Sequence, residues 1–292
     1  MFALLHAADG PYQFHWDLHS DVVLLCIFLQ AGYLYAVTQL RPVVSDAGRV
    51  RRRQMLLFTA GVLSIYLVSG TPVHEISEQY LLSMHMFQHG VYTLIAAPLL
   101  LAGIPGWLWQ AVFRWRPAFI VARYAFHPLI AFGVFNAVLV ASHLPPVVDL
   151  ALNEHWFHFA VHATIVVTAM MMWWPILSNV PELPRLTAPL AVAYLFLQSI
   201  VPAVVASFVT FAHSAVYEFY GNAPRIWGIS PVEDQQIGGG VMKLMGTLIL
   251  WGFMTVIFFQ WYDREQKRPQ KDEMWEGVEQ ELQALGLDTR DR

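Results

Sequence analysis

Histidine is the residue that stands out in this chain, because it gathers at the ends of apolar stretches. His85 and His89 lie in SMHMFQHG, His143 in ASHLPP, and His155, His158 and His162 in NEHWFHFAVH. Residues three or four apart share one face of a helix. His85 and His89 therefore form one stripe, and His155, His158 and His162 a second. Two imidazoles at that spacing can share a metal ion, as they do in other helical metal sites. His143 ends one apolar stretch and His213 another. If the stripes turn inward, His85, His89, His143, His155, His158 and His162 make a nitrogen-rich cup. Imidazole suits copper, zinc, iron and nickel, and the nearby thioethers of Met84 and Met86 and the thiol of Cys26 favour copper(I).

The segment 230–243, SPVEDQQIGGGVMK, is the other stretch with chemical content. Asp234 is expected either to cap the helix that follows it or to orient a ligating imidazole. Gln235 and Met86 are further candidates for positions behind the ligands. The three glycines allow close helix approach in a membrane. Lys243 is expected to snorkel outward or to pair with Asp234 or Glu233. A retinal-type lysine is disfavoured, because Met86 to Gly103 contains no carboxylate to serve as counter-ion. The plainer readings are packing for Met170, Met171 and Met172, away from the histidines, and a small buried hydrophobe for Cys26. His6, His15 and His127 read as interfacial hydrogen-bonders.

The elements that position these residues are membrane helices. The chain is 57% hydrophobic and 13% charged, against about 25% charged in soluble proteins. A span needs about 20 mostly apolar residues. Seven stretches qualify: 21–40, 55–72, 82–103, 127–144, 155–177, 188–212 and 240–262. The expected fold is an all-α seven-helix transmembrane bundle over 1–262, with a tail over 263–292. In the tail, Trp275, Val278, Leu282 and Leu285 recur at helical spacing, as in a short amphipathic helix. The start, MFALLHAADGPYQ, lacks the basic region of a signal peptide.

Charge gives a direction. Arg41, Arg49 and Arg51 to Arg53 follow the first stretch, Arg114, Arg116 and Arg123 the third, and Arg264, Lys267, Arg268 and Lys271 the last. The alternate loops carry Glu75, Glu78, Asp149, Glu154, Glu218, Glu233 and Asp234. The positive-inside rule then places the N-terminus outside and the C-terminus in the cytoplasm of a bacterial cell. His6, His15, His19, His74, His85, His89, His143, His155, His158, His162 and His213 fall on the outer side, and His127 on the inner.

Other chemistries are missing from the sequence. A single cysteine excludes an internal disulfide and any CxxC motif. There is no nucleotide-binding glycine loop, GxSxG elbow or HExxH, and no basic outer surface that points to nucleic acid.

At these residues the chain resembles the CtaG family of cytochrome c oxidase assembly factors. That family's HMxQH signature and following PLL read here as His85-Met86-Phe87-Gln88-His89 and Pro98-Leu99-Leu100. Its HxP element resembles His143-Leu144-Pro145. Its histidine-bearing span resembles His155 to His162 running to Trp173-Trp174-Pro175. Its DQQxGG motif resembles Asp234-Gln235-Gln236-Ile237-Gly238-Gly239. The resemblance covers roughly 15–262. It implies a non-enzymatic membrane protein that helps to mature a haem–copper oxidase by handling copper, with an oxidase subunit or a periplasmic copper donor as partner. The residues alone leave three other classes open. Facing histidines on two spans can ligate a haem, although ligands near helix ends argue against a deeply buried one. A copper permease would need ligands running on through the membrane, where Thr93, Thr164, Thr168 and methionines make a thin path. A scaffold would use the histidines for packing alone.

Overall fold

The computed structural model describes residues 19–40 and 50–284, without the side chains of 269–277, 280, 283 and 284. His6, His15, Leu285 and the side chain of Trp275 lie outside the described residues. Among the described residues the chain is helical and contains no strand. Five helices are long and apolar enough to cross a membrane: α1 (Ser20–Leu40), α4 (Leu82–Gly103), α9 (His155–Leu177), α10 (Ala188–Phe211) and the Pro231–Arg268 part of α12 (Pro231–Ala284). Two bent pairs raise the number to as many as seven. They are α2 (Arg52–Ser69) with α3 (Pro72–Gln79), bent by 52°, and α6 (Arg116–Ala125) with α7 (Pro128–Ser142), bent by 73°. Short helices α5 (Gly106–Phe113), α8 (Pro145–Asn153) and α11 (Glu218–Asn222) link them. The chain is thus a multi-pass membrane protein.

Proline and its neighbours set the breaks. A proline at the first helical turn loses nothing, because its missing N–H would be unpaired there anyway. Thr71 precedes Pro72 and caps α3, its hydroxyl accepting from Val73 N–H. The second apolar stretch, expected over 55–72, thus forms α2 to Ser69, and α3 continues it at a 52° bend. Pro128 and Pro145 open α7 and α8 in the same way.

Within α4 the backbone winds into π turns over Val91–Ala96, ahead of Pro98. Pro98 has no amide to offer the preceding turn, and such defects need other partners for the freed carbonyls. Here the Thr93 hydroxyl donates to His89 O (2.8 Å), and the Trp173 indole donates to Thr93 O (2.8 Å).

The last element departs most from expectation. The final span begins at Pro231 rather than 240, so DQQIGGG forms its first turns instead of a loop. The same helix runs unbroken to Ala284, so residues 263–284 continue the span rather than forming a separate short helix. Two of its glycines face neighbours closely. A Cβ on Gly239 would fall 2.7 Å from Ala206 O of α10, and one on Gly238 would fall 3.3 Å from Ser83 Cα and Met86 Cγ of α4. Contact between α12 and both helices therefore depends on small residues, the means by which membrane helices approach closely.

Two apolar cores result. Trp173, Trp174, Met172, Leu195 and Leu250 anchor one, and Tyr33, Phe58, Val62, Tyr92 and Leu100 the other. A third cluster, including Leu82, Met86, Val148, Val209 and Tyr220, closes the end of the bundle where α4, α8, α10 and α11 meet.

Candidate metal centre

The start of α4, the start of α9 and the end of α7 converge at that closed end, and each brings histidine. His85, His89, His143 and His158 are all at least nine-tenths buried. His162 Nε2 lies 3.0 Å from His89 Nε2 and 3.0 Å from His158 Nε2. His85, His158 and His162 each offer a ring nitrogen within 4.8 Å of the others. The rings of His85 and His89 stand 4.4 Å apart, and those of His89 and His143 5.5 Å apart. Two nitrogens bound tetrahedrally to one ion at about 2.0–2.1 Å would be about 3.3 Å apart. The Nε2 pairs are close to that separation.

The protons fix which nitrogens are free. Glu78 Oε1 lies 3.0 Å from His158 Nδ1 and 3.1 Å from His74 Nε2. The carboxylate accepts from both rings, so His158 holds its proton on Nδ1 and turns a lone pair on Nε2 into the cluster. Carboxylates commonly orient ligating imidazoles in this way and raise their basicity. His74 Nδ1 in turn accepts from Gln88 Nε2 (3.1 Å), which also donates to Val68 O (3.0 Å). Ser77 Oγ donates to Gln88 Oε1 (3.1 Å). His143 Nδ1 donates to Leu139 O (2.7 Å).

Two ring nitrogens, His143 Nε2 and His85 Nδ1, remain buried without a hydrogen-bond partner. A buried polar group left without a partner costs about 1–3 kcal/mol. With the His158 proton on Nδ1, only one proton on His162 Nε2, shared between two acceptors, keeps lone pairs from facing each other across 3.0 Å.

The remaining expected residues go elsewhere. His155 does not join the cluster: its side chain is 62% exposed, and Nε2 lies 3.6 Å from Asp21 Oδ2. His127 and His213 are exposed. Asp234 neither caps its own helix nor touches an imidazole. Its carboxylate accepts from Leu82 N–H (2.7 Å) and Ser83 N–H (3.0 Å), capping α4 one turn before His85. A carboxylate suits that end because α4's first amides have no partner within the helix. Gln235 accepts from Val216 N–H (2.7 Å) and donates to Ser214 O (3.2 Å), fixing the loop after α10. Met86 is buried with Leu82 and Tyr217 and also lines a cavity that His89 and His143 border. Lys243 pairs with neither acid, and its Nζ lies 4.6 Å from the centre of the Phe211 ring. Cys26 is buried in α1, as expected, with its thiol toward Val62 O (3.9 Å).

Glu78, His74 and Gln88 are the functional candidates that spacing alone did not single out. The available signal was His74 and Glu78 four apart in a short helix. Two tyrosines complete the wall. Tyr217 OH donates to His143 O (3.1 Å), and Tyr220 OH donates to Ser77 O. Burial pushes both hydroxyls well above the ordinary tyrosine range, so they remain neutral donors.

A groove of about 310 Å³ reaches the cluster from the side. Asp21 and His155 line it, as do Glu78, His74, His158 and His162.

A family model described as cytochrome c oxidase caa3 assembly factor (Caa3_CtaG) matches residues 31–264. Uncharacterized proteins of Mycobacterium bovis and Mycobacterium tuberculosis are each 22% identical over 268 residues, covering 86% of this chain and 40% of theirs. The chain thus spans less than half the length of these relatives. No solved structure matches. The family match runs from within α1 to the membrane part of α12 and contains every residue of the cluster, so the chain belongs to the caa3 cytochrome c oxidase assembly factor (CtaG) family.

Proposed function

We propose that this protein assists assembly of a caa3-type cytochrome c oxidase by binding copper at its histidine cluster and releasing it to an oxidase subunit. It does so without catalysing a reaction. The observation that carries the reading is the gathering of His85, His158 and His162 ring nitrogens within 4.8 Å of one another, with His89 joined through His162 and Glu78 holding the His158 proton away from them. His143 flanks the cluster from α7, its ring centre 5.5 Å from that of His89.

The protein crosses the membrane of a bacterial cell seven times, the two bent pairs each counting as one span. Its N-terminus is outside and its C-terminus is in the cytoplasm, as the lysine and arginine distribution requires. The cluster then opens to the outer side, where a periplasmic donor delivers the ion. His155 and Asp21, at the exposed side of the groove, meet the ion first, and His158 and His162 take it from there. Bound copper(I) surrounded by neutral imidazoles leaves one positive charge, which Glu78 offsets. Ligation by nitrogen alone holds copper(I) less firmly than thiolate does, which favours onward transfer.

The haem alternative fits this geometry poorly. Axial imidazoles face each other across the macrocycle, and Nε2 atoms 3.0 Å apart leave no room for a ring between them.

The test is complementation of a host whose caa3-type oxidase depends on this protein. With the H85A/H158A/H162A variant, oxidase subunits and haem are expected to be present while oxidase copper is lost. Oxidase with normal copper, from a variant shown to reach the membrane at wild-type level, would overturn the reading.

A further inference from the structure

We infer that the protein holds a second copper(I) ion, in a thioether-lined cavity adjoining the histidine cluster. The inference rests on the copper reading of that cluster and extends it inward. A cavity of about 60 Å³ lies among α4, α7, α9, α10 and α12, and Met86, Met172, Met242 and Met245 all line it. His89 and His143 line it as well. Met172, expected to pack away from the histidines, packs in the core with Trp173 and lines this cavity from α9.

Most polar side chains around the cavity are held by hydrogen bonds, and one stands out as an exception. The Thr93 and Thr168 hydroxyls donate to carbonyls of their own helices. Gln198 exchanges hydrogen bonds with Asn136. The exception is His143. Its Nδ1–H is held by Leu139 O, and its Nε2 carries a lone pair, buried and unpartnered. One thioether is placed by a glycine. A Cβ on Gly90, the residue after His89, would fall 2.7 Å from Met245 Sδ, so the sulfur rests directly on the α4 backbone.

The donor set selects the ion. Thioethers and imidazole are soft to intermediate ligands that suit copper(I) and disfavour magnesium or calcium, which require several oxygens. A monovalent ion is also the least costly cation to hold at membrane depth. His89 borders both this cavity and the cluster, so the two adjoin through one imidazole.

The experiment is copper(I) titration and X-ray absorption on full-length protein in detergent, in a C26S background. With the only cysteine removed, sulfur bound to copper comes from methionine. The variants are M242L/M245L, which conserves volume, and H158A/H162A, which disables the cluster alone. The C26S protein is expected to bind about two copper(I) ions with mixed nitrogen and sulfur scattering. M242L/M245L is expected to keep one ion and lose the sulfur component, and H158A/H162A to keep one ion and retain it. One ion with nitrogen-only scattering, unchanged in M242L/M245L, overturns the second site and leaves the cluster standing. A single sulfur-ligated ion that survives H158A/H162A keeps this site and removes the cluster. Absence of copper from C26S protein that elutes as a single folded species overturns both.

Discussion

The two ends of the bundle solve opposite problems. At one end Trp174 stacks on Phe126 with ring centres 3.9 Å apart and planes within 2°, and Trp109 meets it edge-on at 4.9 Å. The Trp174 indole donates to Leu183 O, which also accepts from Ser178. At the other end comparable depth is spent on imidazoles, two of which leave a nitrogen unpaired. Trp107 Nε1 is an unpaired exception near the aromatic end, but it is isolated, whereas the histidine nitrogens converge. Apolar packing favours the fold wherever it occurs, while converging unpaired lone pairs favour it only when something binds them. On the copper reading proposed above, the aromatic end carries stability and the histidine end carries the proposed function.

Substitutions can separate the two ends. The largest expected effect is that of W174A. Truncating a buried tryptophan costs about 3–5 kcal/mol, so thermal unfolding in detergent should move down strongly while copper per folded molecule stays the same. A loss of copper affinity in the folded fraction would break the division. Next is E78Q, which keeps the shape of Glu78 but removes its charge and its fixed acceptor role. Loss of such a partner weakens metal binding by about 10–100-fold, to be read by competition with a chromophoric copper(I) chelator, with the unfolding temperature little changed. A wild-type affinity would show that the Glu78 contact to His158 is incidental.

D234A tests a mixed case, because Asp234 touches backbone at the histidine end. Loss of a helix cap costs about 0.5–2 kcal/mol, so the unfolding temperature should fall, and copper affinity should fall less than in E78Q. The reverse ranking would place Asp234 in contact with the ion's ligands. H155A should do least. An exposed pair such as His155 with Asp21 contributes about 0–1 kcal/mol, and equilibrium affinity should be unchanged. If the groove is the route inward, copper uptake by stopped-flow should slow.

The difference between the ends also explains what the sequence reveals. Stretches of about 20 apolar residues mark the long helices directly, since only length and composition matter there. The His85–His89 and His158–His162 stripes follow from helical spacing, which says which residues share a face. It does not say how a helix is rotated or what it meets. His155, one turn from His158 on the same nominal stripe, turns to Asp21. Asp234 caps a helix some 150 residues earlier in the chain, a pairing that no local pattern encodes. Glu78 looks like an ordinary loop acid until Thr71 and Pro72 fold α3 over the site. Met242 and Met245 are indistinguishable from their apolar neighbours until α12 is placed against Gly90.

The central claim is that the histidine end binds copper, and the most direct test is elemental analysis with an optical spectrum on one detergent-purified sample, expressed with copper and haem supplied. The account predicts at least near-stoichiometric copper, no Soret band, and a drop in copper in the H85A/H158A/H162A variant. Iron with a Soret band and no copper would contradict it and make the protein a cytochrome.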